Sequence, residues 1–420
     1  NRFPVGVKTE NGYRIQTDNI CMTSRANIEQ ATAHAIDYLK KRPALTIAPM
    51  ALGDFSGVCE CDRCRAANGG VDPALAPDRV VWKFMNEVSR GVDEVLPGKG
   101  AGFYACYGKM TRPPEGLKAA PTALAVVTHV ECNAHDIADQ NCLYNKIRMG
   151  HLEAIQAAGS RVKLRAYTMW YGRVQPLAVL DSIKSFYRAG ARAYSCELMG
   201  RDELRNIVQW CMAQLLWNSQ ADPRKLLREY TTRYYGPAGD DVLAILTRLD
   251  KQVRSCHHIV FSTSFDILTP DVLKRCRGLL ARAEKRKLTT DQQRRLDNFG
   301  KCLDMIFRRA NVYRLQAKLC QVRTPEALQE ARDAFADFKT WLESESIFDI
   351  CSPQLLRAMR GAEARLENFE FDVAPRARKD VAEGGRAERI EALFSNADKP
   401  DRTDQIRLLP AREFPTNEAG

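Results

Sequence analysis

The chain has 420 residues, 45% of them hydrophobic, which is enough apolar surface for buried cores in two domains and excludes a disordered or fibrous protein. Its formal charge of +11 and pI near 9.0 suit an anionic partner, whether polysaccharide, nucleic acid or membrane surface, without choosing among them. No run of roughly 18 apolar residues occurs, so no membrane span is predicted; the fourteen cysteines are spread along the chain and lack the spacing of a small secreted disulfide scaffold.

Residues 26–42 place Ile28, Ala31, Ala35, Ile36 and Leu39 on one face and end in basic residues, which predicts an amphipathic helix. The apolar run 45–48 then reads as a buried strand, with Asp54 just past its carboxyl end. The helical period returns over 80–95 and stops at Pro97-Gly98. A second strand over 101–107 ends at Tyr107, and a third over 124–129 is followed closely by Glu131. Residues 145–158 read as a helix, 162–169 as a strand ending at Trp170-Tyr171, 177–189 as a helix, and 191–196 as a strand ending at Glu197. Five strand-helix alternations of roughly 30 residues each are the rhythm of a parallel βα sheet, and a (β/α)8 barrel or part of one is the arrangement expected.

Past Gly200 the strand signals stop. Helices are expected over 203–217, 222–235, 239–256, 270–286, 290–321, 325–343 and 352–369, and the Arg/Lys run 274–287 reads as a solvated helix face because no aromatic residues interleave it. From Asp372 the composition turns to Gly, Pro and charge, as in a linker or tail. The expected domains are therefore a barrel over 1–220, a helical domain over 221–371 that contributes stability more than chemistry, and a linker or tail over 372–420.

Three acidic residues, Asp54, Glu131 and Glu197, stand at predicted strand ends. In a barrel those ends ring one pocket, so residues distant in sequence face one another. Two carboxyl groups flanking a bond are the minimum apparatus for glycoside hydrolysis. Asp54 is the expected general acid, because the apolar strand before it and Phe55 after it would desolvate its carboxyl; Glu197 is the expected base or nucleophile, with Glu131 orienting a hydroxyl. Tyr107, Tyr167 and Trp170 would stack on sugar rings, and His129 would line the same pocket, as would His135. Each acid taken alone could equally cap a helix.

Cys59, Cys61 and Cys64 put three thiols within six positions, and Cys21 is the best fourth ligand for a structural zinc. Disulfide pairing and free thiols remain as alternatives. The C-x-x-C is expected in a loop and not at a helix N-terminus, which argues against a thioredoxin-type redox role. The six histidines show no metal-ligating spacing. The phosphate-binding glycine motifs and the serine-hydrolase elbow are all missing, so nucleotide-dependent and serine-nucleophile chemistry is not expected.

The set Ile20-Cys21-Met22-Thr23, the strand leading to Asp54, Cys59-Glu60-Cys61-Asp62-Arg63-Cys64, Phe84-Met85-Asn86-Glu87-Val88, Tyr107 through Pro113-Pro114, Leu215-Leu216-Trp217-Asn218 and Tyr234-Tyr235-Gly236 resembles the bacterial domain of unknown function 4838. That family is similar to the barrels of glycoside hydrolase families 20 and 67. The resemblance covers residues 1–245 and implies a glycosidase-like barrel followed by helices, in an exported protein that acts on polysaccharide outside the cytoplasm or in the periplasm. It also implies barrel strands ahead of those read here, so the barrel is expected to be incomplete at its N-terminus. The adjacent Asp-Glu pair of family 20 stands at no predicted strand end. The function expected is glycoside hydrolysis on an oligo- or polysaccharide without a catalytic cofactor; the alternative is a carbohydrate-binding or scaffold protein that kept the barrel, and a nucleic-acid partner is not expected.

Overall fold

The structure is a computed structural model and describes residues 5–9, 12–16, 20–50, 59–71, 78–105, 113–129, 132, 134–166, 175–196, 203–255, 268–344, 363 and 366. The chain divides into two compact units, one of Asn1–Met169, Leu177–Leu198 and Cys211–Pro223, the other of Trp170–Pro176, Met199–Trp210 and Arg224–Gly420.

The first unit opens with a hairpin that the periodicity did not bring out. Strands β1 (Val5–Thr9) and β2 (Gly12–Gln16) pair antiparallel, with Thr9 opposite Gly12. Helix α1 (Arg25–Lys40) buries Ile28, Ala31, Ala35 and Leu39, the stripe expected from its period. Then come β3 (Ile47–Met50), a six-residue helix α2 (Asp62–Ala67), α3 (Asp78–Val95) and β4 (Gly100–Ala105). Strand β5 (Leu124–His129) is followed by α4 (Leu143–Ala157), β6 (Arg161–Ala166), α5 (Pro176–Arg188), β7 (Ala193–Cys196) and α6 (Glu203–Trp217). Among the described residues no helix joins β4 to β5.

Strands β3 to β7 form one parallel five-stranded sheet in the order of the chain. Doubly wound sheets reverse their order at a switch point, which puts helices on both faces. This sheet has no reversal, and right-handed crossovers then place every connecting helix on the same face. Burial follows that rule. Ala101, Phe103, Ala125, Val127, Val162 and Leu164 are buried on the helix-facing side, where Phe84 of α3 meets Phe103 edge-on with ring centroids 5.8 Å apart. The residues between them turn to the other face, and β6 alternates accordingly, with Lys163 and Arg165 half-buried between buried neighbours. This is the arrangement of an incomplete α/β barrel, with a packed outer layer and a polar inner face.

The start of β4 is set by close backbone approach. A Cβ on Gly100 would stand 2.1 Å from the Thr122 carbonyl oxygen, while the Gly100 amide donates to the Thr46 carbonyl at 2.9 Å. Neither backbone segment has room to yield. Gly100→Ala is expected to cost about 1–3 kcal/mol, read as a lower thermal midpoint; an unchanged midpoint would contradict the packing at this corner.

The second unit is helical in its described residues. It contains α7 (Pro223–Tyr235), α8 (Gly239–Arg254), α9 (Pro270–Glu284), α10 (Thr290–Val322) and α11 (Pro325–Ser344); the helix expected over 352–369 falls almost wholly outside the described residues. Their starts are written in the sequence. Thr269 caps α9 ahead of Pro270, and Thr289 with Gln292 forms a reciprocal capping box on α10. The Arg and Lys residues of the run on α9 are exposed, while Cys276 and Ala283 are buried and Leu279 and Leu280 half-buried.

Two of those basic residues have a structural role. Asp241 on α8 is 1% exposed and accepts from Arg282 Nε at 2.6 Å and Arg286 Nε at 3.1 Å. Asp241→Asn keeps the shape and removes the charge that both guanidinium groups answer. The expected loss is about 1–3 kcal/mol, measured by denaturant unfolding, and a neutral result would show that the two arginines are held by solvent alone.

Candidate metal centre and sheet-edge site

Cys21 lies just ahead of α1, held by two hydrogen bonds to its carbonyl, from Asn27 Nδ2 at 3.0 Å and from the Ser24 amide at 3.2 Å. The other three cysteines follow β3. Cys61 is the N-cap of α2 and Cys64 lies in its first turn, which corrects the expectation that this C-x-x-C sits in a loop away from a helix N-terminus. The helix is only six residues long, DRCRAA, too short for its period to be legible.

The Sγ atoms of Cys21, Cys59, Cys61 and Cys64 all lie within 4.8 Å of one another. Cys21 Sγ is 3.6 Å from Cys64 Sγ and 3.8 Å from Cys61 Sγ. A tetrahedral zinc with Zn–S bonds of about 2.3 Å requires sulfur-sulfur edges of about 3.8 Å. A disulfide requires about 2.05 Å, and the described cysteines form none. The cluster is thus spaced as a four-thiolate cage. Cys21, Cys59 and Cys64 are buried among the core residues of the first unit, and Thr23 Oγ1 lies 3.2 Å from Cys64 Sγ, a neighbour able to donate to a thiolate and tune it.

Without a cation the thiols share protons among themselves. Hydrogen bonds from Cys59 and Cys64 hold the Cys21 thiol far below its ordinary range. The same contact with Cys21, reinforced by burial, pushes Cys59 up to about 11 and Cys64 higher still. A divalent cation binding here would displace the remaining thiol protons, so its affinity would rise with pH. The residues fit zinc.

Asp54, Glu131 and Glu197 lie outside the described residues, as do Tyr107, Tyr167 and Trp170. His129 ends β5, and its side chain is likewise outside them. On the described inner face Arg165 of β6 reaches across β5 to Tyr104 of β4, donating from Nη1 to the phenol oxygen at 3.1 Å with its guanidinium 5.3 Å from the ring centroid. Arg165 is registered with Thr128 and Tyr104 with Val126, so this pair lies over the carboxyl-terminal half of the sheet. The pairing was not legible in the sequence, because the two strands are not consecutive.

His135 stands beside Cys132. Its Nδ1 lies 3.3 Å from Cys132 Sγ, and with Cys142 the three ligand atoms fall within 4.8 Å of one another. This corrects the reading that the histidines offer no metal site. The C-x2-H-x6-C spacing was visible in the sequence, but it matches no four-ligand pattern.

The family model described as a domain of unknown function (DUF4838) matches residues 5–246. No curated protein matches the sequence. Among solved structures, a mutant of the Thermobaculum terrenum O-GlcNAc hydrolase aligns over 85% of this chain and 81% of that one, at 12% identity and a TM-score of 0.37; a superposition that loose carries no inference about this chain. Among the described residues no helix is long and apolar enough to cross a membrane.

Proposed function

The chain belongs to the DUF4838 family, and from that premise and the sheet it forms we propose that it is a carbohydrate-active protein, a glycoside hydrolase built on a TIM-type barrel. The observation that carries the reading is the order of the sheet. Five parallel strands end on one edge, the edge where barrel enzymes place their chemistry. The acidic residues come next in the chain after alternate strands: Asp54 after β3, Glu131 after β5 and Glu197 after β7.

In this reading Asp54 protonates the leaving glycosidic oxygen, Glu197 acts as base or nucleophile on the opposite side of the ring, and Glu131 orients a sugar hydroxyl. Tyr107, Tyr167 and Trp170 supply flat apolar faces for sugar rings, and His129 a polar contact. The Arg165–Tyr104 pair supports a polyhydroxylated ligand over an apolar one, because it offers donors on the inner face of the sheet. Zinc at the four cysteines is structural and takes no part in the reaction. The substrate proposed is an oligo- or polysaccharide, and the compartment extracellular or periplasmic.

A panel of aryl glycosides and oligosaccharides, assayed for released reducing ends, tests the proposal. Hydrolysis of at least one is expected. Saccharide binding with no turnover on any of them would turn the reading to a binding or scaffold protein.

A further inference from the structure

We infer that Cys132, His135 and Cys142 form a second zinc site, separate from the four-cysteine cage, with three protein ligands and the fourth position left to an oxygen ligand. The inference does not depend on the glycosidase reading. Its first ground is the geometry of the donors. Zn–S bonds of about 2.3 Å and Zn–N bonds of about 2.0–2.1 Å at tetrahedral angles put sulfur and nitrogen about 3.6 Å apart; Cys132 Sγ and His135 Nδ1 are 3.3 Å apart. The Cys142 sulfur closes the triangle within 4.8 Å, and among the described residues no fourth Cys, His, Asp or Glu joins the group.

The second ground is the framework that holds these side chains. Cys132 is 0% and Cys142 2% exposed, with His135 half-buried beside them, so the two thiols meet where water does not compensate them. The segment between is tied down on both sides. Successive turns carry the Asp139 amide to the Asp136 carbonyl at 3.0 Å and the Cys142 amide to the Asp139 carbonyl at 3.1 Å, folding Cys142 back over Cys132. Asn145, fully buried in α4, donates to the carbonyls of His135 and Asp136 at 3.3 and 3.1 Å. From α5, Ser182 Oγ accepts from the Ile137 amide at 3.0 Å, and Ser185 Oγ donates to Asp136 Oδ2 at 2.9 Å.

A loop held at this many points keeps its ligands in place before metal arrives, which is what a selective site requires. Cys142 is also the N-cap of the fifteen-residue helix α4, which fixes its backbone at the start of a regular element. Two soft sulfurs and an imidazole select zinc over calcium or magnesium.

The site lies between β5 and α4, hence after the carboxyl end of a strand in the sheet. Among the described residues the site has three protein ligands and one remaining position, the donor count of zinc sites that keep an exchangeable ligand, whereas the four-cysteine cage is closed. The two sites should therefore differ in metal exchange as well as in spectrum.

The test uses the full chain purified under reducing conditions and loaded with Zn2+, then with Co2+ as a spectroscopic probe. Two equivalents of zinc per chain are expected. Cys142→Ser and His135→Ala should each lower the count to one and leave the thiolate-to-cobalt charge-transfer band of the four-cysteine site in place, while Cys64→Ser should remove that band. A chelator should strip the Cys132–His135–Cys142 metal first. One equivalent in the unaltered chain, unmoved by Cys142→Ser, would overturn the inference, as would a Cys132–Cys142 disulfide that persists in the zinc-loaded protein by mass spectrometry. The mass measurement uses the unaltered chain alone and decides the question even if a variant fails to fold.

Discussion

Asp54→Asn should lower turnover of a glycoside substrate roughly a hundred- to ten-thousand-fold, the range that general acid catalysis supplies, while the thermal midpoint stays nearly unchanged. The leaving group sets the size of the effect. A sugar alkoxide is a poor one and must be protonated as the bond breaks, so an amide that cannot give up a proton in its place removes the step's main support. An aryl glycoside with a strongly acidic phenol needs no proton. On such a substrate the Asp54→Asn deficit should shrink sharply, whereas a Glu197→Ala deficit should persist. If Glu197 is the nucleophile, the unaltered enzyme should release sugar with retained configuration, and added azide should restore activity to Glu197→Ala by a single displacement that yields a glycosyl azide of inverted configuration; sugar released with inverted configuration by the unaltered enzyme would make Glu197 the base. Equal losses on good and poor leaving groups would remove Asp54 from the acid role.

Cys64→Ser, or exhaustive chelation, should unfold the first unit outright. A structural zinc contributes about 10–16 kcal/mol of apparent binding energy in small domains, and the net stability of a folded protein is about 5–15 kcal/mol, so loss of the cage metal competes with the whole of it. Cys64 is 1% exposed and holds α2 to the segment ahead of α1 through Cys21. Cys61 is only partly buried at the N-cap of α2, and Cys61→Ser should be the milder variant, with weaker metal binding but a recoverable fold. Metal content and near-ultraviolet circular dichroism read both. A chain that keeps its full tertiary signal after chelation would show the four thiols to be ordinary core residues.

The sequence was most legible where one face of an element meets the core. Helix α1 buries Ile28, Ala31, Ala35 and Leu39 as its period requires, and β5 spans the same Leu124–His129 run read from its β-branched residues. The two failures have physical reasons. The β1–β2 hairpin carried a signal in Asn11-Gly12, a dipeptide that marks tight turns, but its strands are short and alternate weakly. Helix α2 is shorter than two turns, so its period could not show, and that hid the N-cap position of Cys61.

Convergence of the four cysteines could be anticipated from thiol density alone. The Cys132–His135–Cys142 group could not, because it depends on how turns at 136–142 fold back and on serines contributed by α5. Long-range pairs such as Arg165 with Tyr104 are of the same kind: they follow from register between strands, which local pattern does not encode.

Cleavage of a glycosidic bond at the carboxyl edge of the sheet is the property to be tested. The direct measurement is binding and turnover of one oligosaccharide, followed side by side in the unaltered chain and in Asp54→Asn with metal content held equal. Binding in both proteins and cleavage in the first alone is the result predicted. Binding in both with cleavage in neither, or cleavage undiminished in Asp54→Asn, would contradict it.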